Sequence, residues 1–301
     1  MKTTLLLLPF LIGFLVLEII LRQIPNDYKF KASYLDQNAS KIECLILGSS
    51  HSFFGANPAY FSKNTFNASH VSQSIDYDYE ILKTYSHKFK KLNTIYLPMS
   101  SFTLYEKLKN IDEYWRCKMY YRSYGIKKDF TTKDYFESTG DLKINITKAT
   151  DYVFKKKDNR ISSKLGWAKT YKSENAKDLI ETGKIAAQRH YYDIGSQTSK
   201  LEFIDNKTIL KDIIKWSKLK DINVVLFTPP AYKSYRENMN KEQLEMTVRA
   251  ANNIANTFDN CMYINFMADT SFTAKDFYDA DHLSEIGAKK LSGKLNAIHN
   301  P

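Results

Sequence analysis

Two short stretches at opposite ends of this 301-residue chain hold residue types that can do nucleophilic chemistry together. Near the start, Leu45-Ile46-Leu47-Gly48-Ser49-Ser50-His51-Ser52 puts serines directly after an apolar run and a glycine. Such a turn exposes one hydroxyl where backbone amides converge ahead of a helix. A serine is a weak nucleophile at neutral pH and needs an imidazole as base, itself oriented by a carboxylate. Near the other end, Asp276-Phe277-Tyr278-Asp279-Ala280-Asp281-His282-Leu283-Ser284 supplies both. With D-x-x-H on one loop, Asp279 can accept the Nδ1 proton of His282, leaving Nε2 to take the proton of Ser50. Asp281 is adjacent to His282, an awkward spacing for orienting the ring, and is suited as well to capping the next helix. Read alone, Ser50 would be a helix N-cap or turn serine; the distal motif is what makes it a nucleophile. His51 should point away from Ser50, and His51, His70 and His190 read as packed or capping histidines.

The elements that must position these residues follow from periodicity. Apolar runs at 42–47, 94–97, 223–228 and 261–266, with a weaker one around Phe66, predict short buried strands. Helical patterns occupy 77–89, 207–220, 241–258 and 284–298 between and after them. Alternating strand and helix predicts an α/β fold with a mostly parallel sheet. Both chemical motifs then lie at strand C-termini, the edge where open parallel sheets bind ligands, and Thr228-Pro229-Pro230 becomes a candidate pocket wall there. Residues 104–200, rich in Tyr, Lys and Asp, break the rhythm and read as an insertion with helical pieces at 112–121 and 173–190. Tyr120, Tyr121, Tyr191 and Tyr192 in it are candidates for stacking on sugar rings, or for ordinary packing.

The length fits one main domain. Residues 4–21 form an 18-residue apolar run, about 27 Å as a helix, with no small-x-small cleavage site after it. The reading is a membrane anchor over 1–24, a polar stalk over 25–40 and a domain over 41–301, with Glu18 snorkelling to the interface. The net charge of +11 is spread as scattered lysines without a nucleic-acid module, so nucleic acid is not an expected partner. Cys44, Cys117 and Cys261 are too few and too odd in number for a disulfide framework. No Cys or His cluster has ligand spacing, so neither metal nor cofactor is expected.

The strand-Gly48-Ser49-Ser50 start and Asp279-x-x-His282-Leu283 before a final amphipathic helix resemble the SGNH/GDSL hydrolase superfamily across nearly the whole chain after the apolar run. Gly-Ser-Ser behind an apolar N-terminus is similar to its membrane-anchored branch, the teichoic-acid D-alanylation and polysaccharide O-acetylation proteins. The resemblance implies a three-layer α/β/α sandwich, flavodoxin-like, with Ser50, Asp279 and His282 as catalytic triad. It implies a serine esterase or O-acyltransferase working on acyl esters of cell-surface carbohydrate, outside the cytoplasm in a bacterial envelope. The family's oxyanion glycine and asparagine blocks are missing. The Ser50 amide is then the first oxyanion donor, and Ser72, Gln73 and Ser100, after the second and third strands, are the candidates for a second. That departure leaves an alternative reading, a catalytically weak or silent partner of a membrane O-acyltransferase.

Overall fold

The apolar runs do become strands. The structure is a computed structural model that describes residues 2–298, with side chains from residue 8 onward. Its strands are β1 (Cys44–Ile46), β2 (Thr65–Asn67), β3 (Thr94–Pro98), β4 (Asn223–Thr228) and β5 (Cys261–Asn265). All pair in parallel, in the order β2-β1-β3-β4-β5. Parallel neighbours cannot be joined by tight turns, so the chain crosses over through helices. In chain order the helices are α1 (Lys2–Gln23), α2 (Asp27–Asn38), α3 (Ser50–Gly55), α4 (Ile75–Tyr85), α5 (Cys117–Tyr124) and α6 (Leu142–Lys155). Then come α7 (Leu179–Arg189), α8 (Gln197–Lys218), α9 (Lys233–Asn238), α10 (Lys241–Thr257) and α11 (Glu285–Ala297).

The chain divides into two compact units, one of residues 1–33 with 115–161, the other of 34–114 with 162–301. The second holds the sheet. On one sheet face Cys44, Ile46, Tyr96, Val225 and Phe227 pack against Leu291 and Leu295 of α11. Side chains alternate along a strand, so Leu45, Ile95, Leu97, Val224 and Leu226 point to the other face, and they too are buried. Burial on both faces explains why the strands read as continuous apolar runs rather than alternating ones, and agrees with an α/β/α layering. Because β2 lies outside β1 while β3 lies on its other side, the chain reverses its winding at β1. A crevice opens there, between the carboxyl ends of β1 and β3.

At the N-terminus the structure departs from the expected stalk and from the expected placing of Glu18. Among the described residues no helix is long and apolar enough to cross a membrane; residues 4–7 of the expected anchor lie outside those with described side chains. The last part of the run is used by the protein itself: Leu17, Ile20, Leu21 and Ile24 pack on Ala149 and Tyr152 of α6. Glu18 does not snorkel. It is buried, bonded to Arg22 at 2.6 Å, and accepts the Glu137 and Ser138 amides at 3.0 Å each. The expected stalk is helix α2, because Tyr28, Ala32 and Leu35, with Ala39 in the turn that follows, recur at helical spacing and are all buried. Polar neighbours hid that stripe in the sequence.

Candidate active site

Strand β1 ends where the Leu47 N–H donates to the Tyr96 carbonyl at 3.0 Å, and Gly48 then turns the chain at φ 101°. A Cβ there would lie 2.2 Å from Cγ of Pro98, so the turn needs glycine for both its dihedral and its space. The Gly48 N–H donates to the buried Asp78 carboxylate at 2.8 Å, and burial pushes that carboxyl up to about 7. The turn leaves Ser49 as N-cap and Ser50 as the first residue of α3, where backbone N–H groups have no intrahelical acceptor. The Ser49 hydroxyl is buried without a hydrogen-bond partner. The Ser50 hydroxyl faces His282.

The distal loop is pinned by a bridge between Phe277 and Leu283 and by the Tyr278 N–H donating to the His282 carbonyl at 3.0 Å. Inside this short turn one Asp279 oxygen accepts the His282 amide at 2.8 Å and contacts His282 Nδ1 at 2.9 Å. The same carboxylate therefore shapes the loop and orients the ring. On the far side of the ring, Nε2 lies 2.9 Å from Ser50 Oγ. The structure thus brings Ser50, His282 and Asp279 into one hydrogen-bonded series although 232 positions separate Ser50 from His282.

Asp281 plays a different part. Its Oδ1 stands 3.5 Å from His282 Nδ1, outside good hydrogen-bond range. Its Oδ2 accepts from Arg189 Nη2 at 2.7 Å and lies 3.4 Å from His51 Nε2 and 3.8 Å from His190 Nδ1. Burial opposes a charge on His282, but the Asp281 and Asp279 carboxylates outweigh it and push the imidazole up to about 10. A raised imidazole is a stronger base once deprotonated, and the same charges stabilise the imidazolium that forms as it takes a proton. Burial, in contrast, lowers the His51 and His190 imidazoles below their ordinary value.

A cavity of about 510 Å³ opens over Ser50 and His282. The ring of Phe54 stacks on Tyr171 at 3.6 Å, and Tyr171 stacks on Tyr278 at 3.9 Å, with the His282 imidazole edge-on to Phe54 and Tyr171. At another side stands Glu106, pushed up to about 7 by burial and accepting from the Tyr192 hydroxyl at 2.9 Å. Arg189 reaches this cavity from the end of α7. Helix α7 can approach α9 because Gly183 leaves room: a Cβ there would lie 2.3 Å from the Ser234 hydroxyl oxygen.

The oxyanion candidates separate. Ser72 lines the cavity in the left-handed region, φ 57°, its hydroxyl bonded to the Glu113 carboxylate. Gln73 spends its donors elsewhere, its amide on the His70 carbonyl at 3.3 Å and its side chain on Asp78 at 2.5 Å. Ser100 does the same, its amide on Thr103 Oγ1 at 2.9 Å and its hydroxyl on His51 Nδ1 at 2.7 Å. A buried carboxylate and a buried imidazole each require partners, and these two residues supply them. Asn67 is no substitute for the missing asparagine, since its side-chain amide binds the Ser52 and Ala56 carbonyls.

His51 is a packed, buried histidine joined to the Ser100 hydroxyl, and its ring centroid is 5.2 Å from that of His282. His190 and Tyr192 line the cavity, and Tyr191 is exposed. Tyr120 and Tyr121 belong to the other unit, and the Thr228 hydroxyl donates to the Met99 carbonyl. The sequence signal for His51 was its place next to the nucleophile; for Arg189 and Tyr171 there was none. Ligand atoms of His51, Asp281 and His282 lie within 4.8 Å of one another. Both ring nitrogens of His282 already face Asp279 and Ser50, and Arg189 already neutralises Asp281, so this donor set suits an ion pair better than a metal ion.

Fold and site together define a parallel α/β protein with a Ser-His-Asp arrangement at its switch-point crevice. No family model and no curated protein matches the chain. A solved structure described as "a putative platelet activating factor from Streptococcus pneumonia" is similar over 99% of this chain and 98% of that one, at a TM-score of 0.45 and 11% identity.

Proposed function

We propose that this chain is an SGNH-type serine esterase or O-acyltransferase acting on acyl esters of cell-surface carbohydrate. Ser50 Oγ attacks the ester carbonyl while His282 Nε2 takes its proton; His282 then returns that proton to the departing alcohol oxygen, leaving an acyl-Ser50 enzyme. Water or a sugar hydroxyl, deprotonated by His282, resolves the acyl-enzyme. Asp279 holds the ring. The observation that carries this reading is the pair of 2.9 Å contacts joining Ser50, His282 and Asp279. The Ser50 amide at the start of α3 and the Ser72 backbone N–H are our assignment for the oxyanion, in a cavity that Phe54 and Tyr171 help to wall. The exposed apolar segment of α1, including Phe10, Leu11 and Val16, supports a membrane-attached protein, and the SGNH resemblance supports a sheet unit outside the cytoplasm.

The test is labelling of the full chain with a fluorophosphonate probe, followed by short-chain ester cleavage. Labelling should vanish in Ser50→Ala and fall sharply in His282→Ala. Equal labelling of the wild type and Ser50→Ala would sink the reading. An unlabelled and inactive wild type would leave the silent partner of a membrane O-acyltransferase as the better description.

A further inference from the structure

The unit of residues 1–33 and 115–161 carries sixteen Lys and Arg against eight Asp and Glu, which is eight of the chain's eleven net positive charges in 80 of its 301 residues. The same unit leaves large apolar side chains in water. On α6, Leu142, Ile146 and Val153 fall within about 40° of one another around the helix axis, and they are 61%, 50% and 48% exposed. They sit beside, not on, the seam of Ala149 and Tyr152 through which α6 packs on α1. Phe154, 81% exposed, extends the apolar surface. Around it Lys143, Lys148, Lys155, Lys156, Lys157 and Arg160 are all exposed. Only Asp141, Asp151 and Asp158 oppose them in that stretch, and Asp151 serves Lys155 and Lys157 together.

A soluble polyanion would explain the cations but not the bare apolar face. A second protein would explain the face but has no use for a flanking run of lysines. One occupant satisfies both, an anionic phospholipid surface, which takes apolar side chains into the acyl boundary and lysines into the headgroups. We propose that α6 is an interfacial membrane-binding helix, lying in the headgroup region of an anionic bilayer beside the segment of α1 whose own apolar residues are exposed. The proposal rests on the membrane attachment of α1 and adds a second contact, set by lipid charge. It gives the insertion-like stretch of 142–160 a task separate from catalysis, that of fixing its unit against the bilayer where a single helix would leave it free to swivel.

The experiment uses the full chain reconstituted in vesicles of phosphatidylcholine with or without phosphatidylglycerol. Ile146→Cys is labelled with an environment-sensitive NBD dye, with Val16→Cys in α1 as a reference; Cys44, Cys117 and Cys261 are buried. The proposal expects the Ile146 probe to shift to the blue and to be quenched by brominated lipid when phosphatidylglycerol is present. Both effects should weaken with salt and in a variant carrying Lys155→Glu, Lys156→Glu and Lys157→Glu. A Val16 probe quenched by lipid beside an Ile146 probe that stays in water overturns the proposal while leaving α1 as an anchor. Two unquenched probes overturn both. A blue shift obtained equally with heparin and no vesicles assigns the surface to a soluble polyanion, which also overturns it.

Discussion

The two units solve the problem of polar groups in opposite ways. The sheet unit buries His51, Asp78, Glu106, Asp279, Asp281 and His282 and gives each a hydrogen-bond partner. Buried charge is costly unless paired, so such a network persists only where each member finds its partner. The other unit buries Glu18, Asp27 and Lys31, the last lowered to about 7 by burial, but leaves most of its lysines and many of its apolar side chains in water. The difference teaches where to look: pKa values are displaced where polar groups are enclosed, and partners are recruited where apolar and cationic groups are left open.

Substitutions can break that comparison, beginning with the largest expected effect. Ser50→Ala should lower kcat for a short-chain ester by about 10⁶-fold, to the level of His282→Ala, because the two act as a unit. Asp279→Asn should cost about 10⁴-fold through the wrong imidazole tautomer, with folding, checked by circular dichroism, retained. In the core of the same unit, Leu291→Ala removes a fully buried side chain packed on the sheet, and urea unfolding should show a loss of about 2–5 kcal/mol.

A smaller effect separates Asp279 from Asp281. With His282 raised to about 10, the acid limb of kcat/KM should lie well above the ordinary histidine value, since the working base is the neutral ring. Charges facing that ring come from Asp279 and Asp281 in its own loop, Arg189 and His190 at the end of α7, His51 on α3 and Tyr171 beside it. Asp281→Asn should bring the limb toward neutrality while Ser50 still labels. The sign for stability follows. A group with a folded pKa above its unfolded value stabilises fully below about 6.5, and that contribution is lost as pH rises toward 10. Thermal melts of Asp281→Asn should therefore fall less over that interval than those of the wild type. The smallest effect is the sharpest for the comparison: reversing Lys155, Lys156 and Lys157 should leave kcat on a soluble ester unchanged. A large loss would mean that the two units do not divide their tasks.

Strands β1, β3 and β4 were legible in the sequence because burial on both sheet faces forces continuous apolar runs, and the run at 223–228 matches β4 residue for residue. Helix α2 was not, since Tyr28, Ala32 and Leu35 stand among Lys, Asp and Gln, which lower the mean hydropathy of an amphipathic helix. For the site, Gly48, Ser50, Asp279 and His282 could be named from local spacing alone, because a turn after a strand and a D-x-x-H loop are each made by neighbours in the chain. Which donors remain for an oxyanion, how Asp281 is held, and the arrival of Arg189 and Tyr171 were decided by the tertiary structure. Those are contacts between segments far apart in sequence, and they depend on competition among buried groups for a limited number of hydrogen-bond partners, a quantity that exists only once the chain has closed around them.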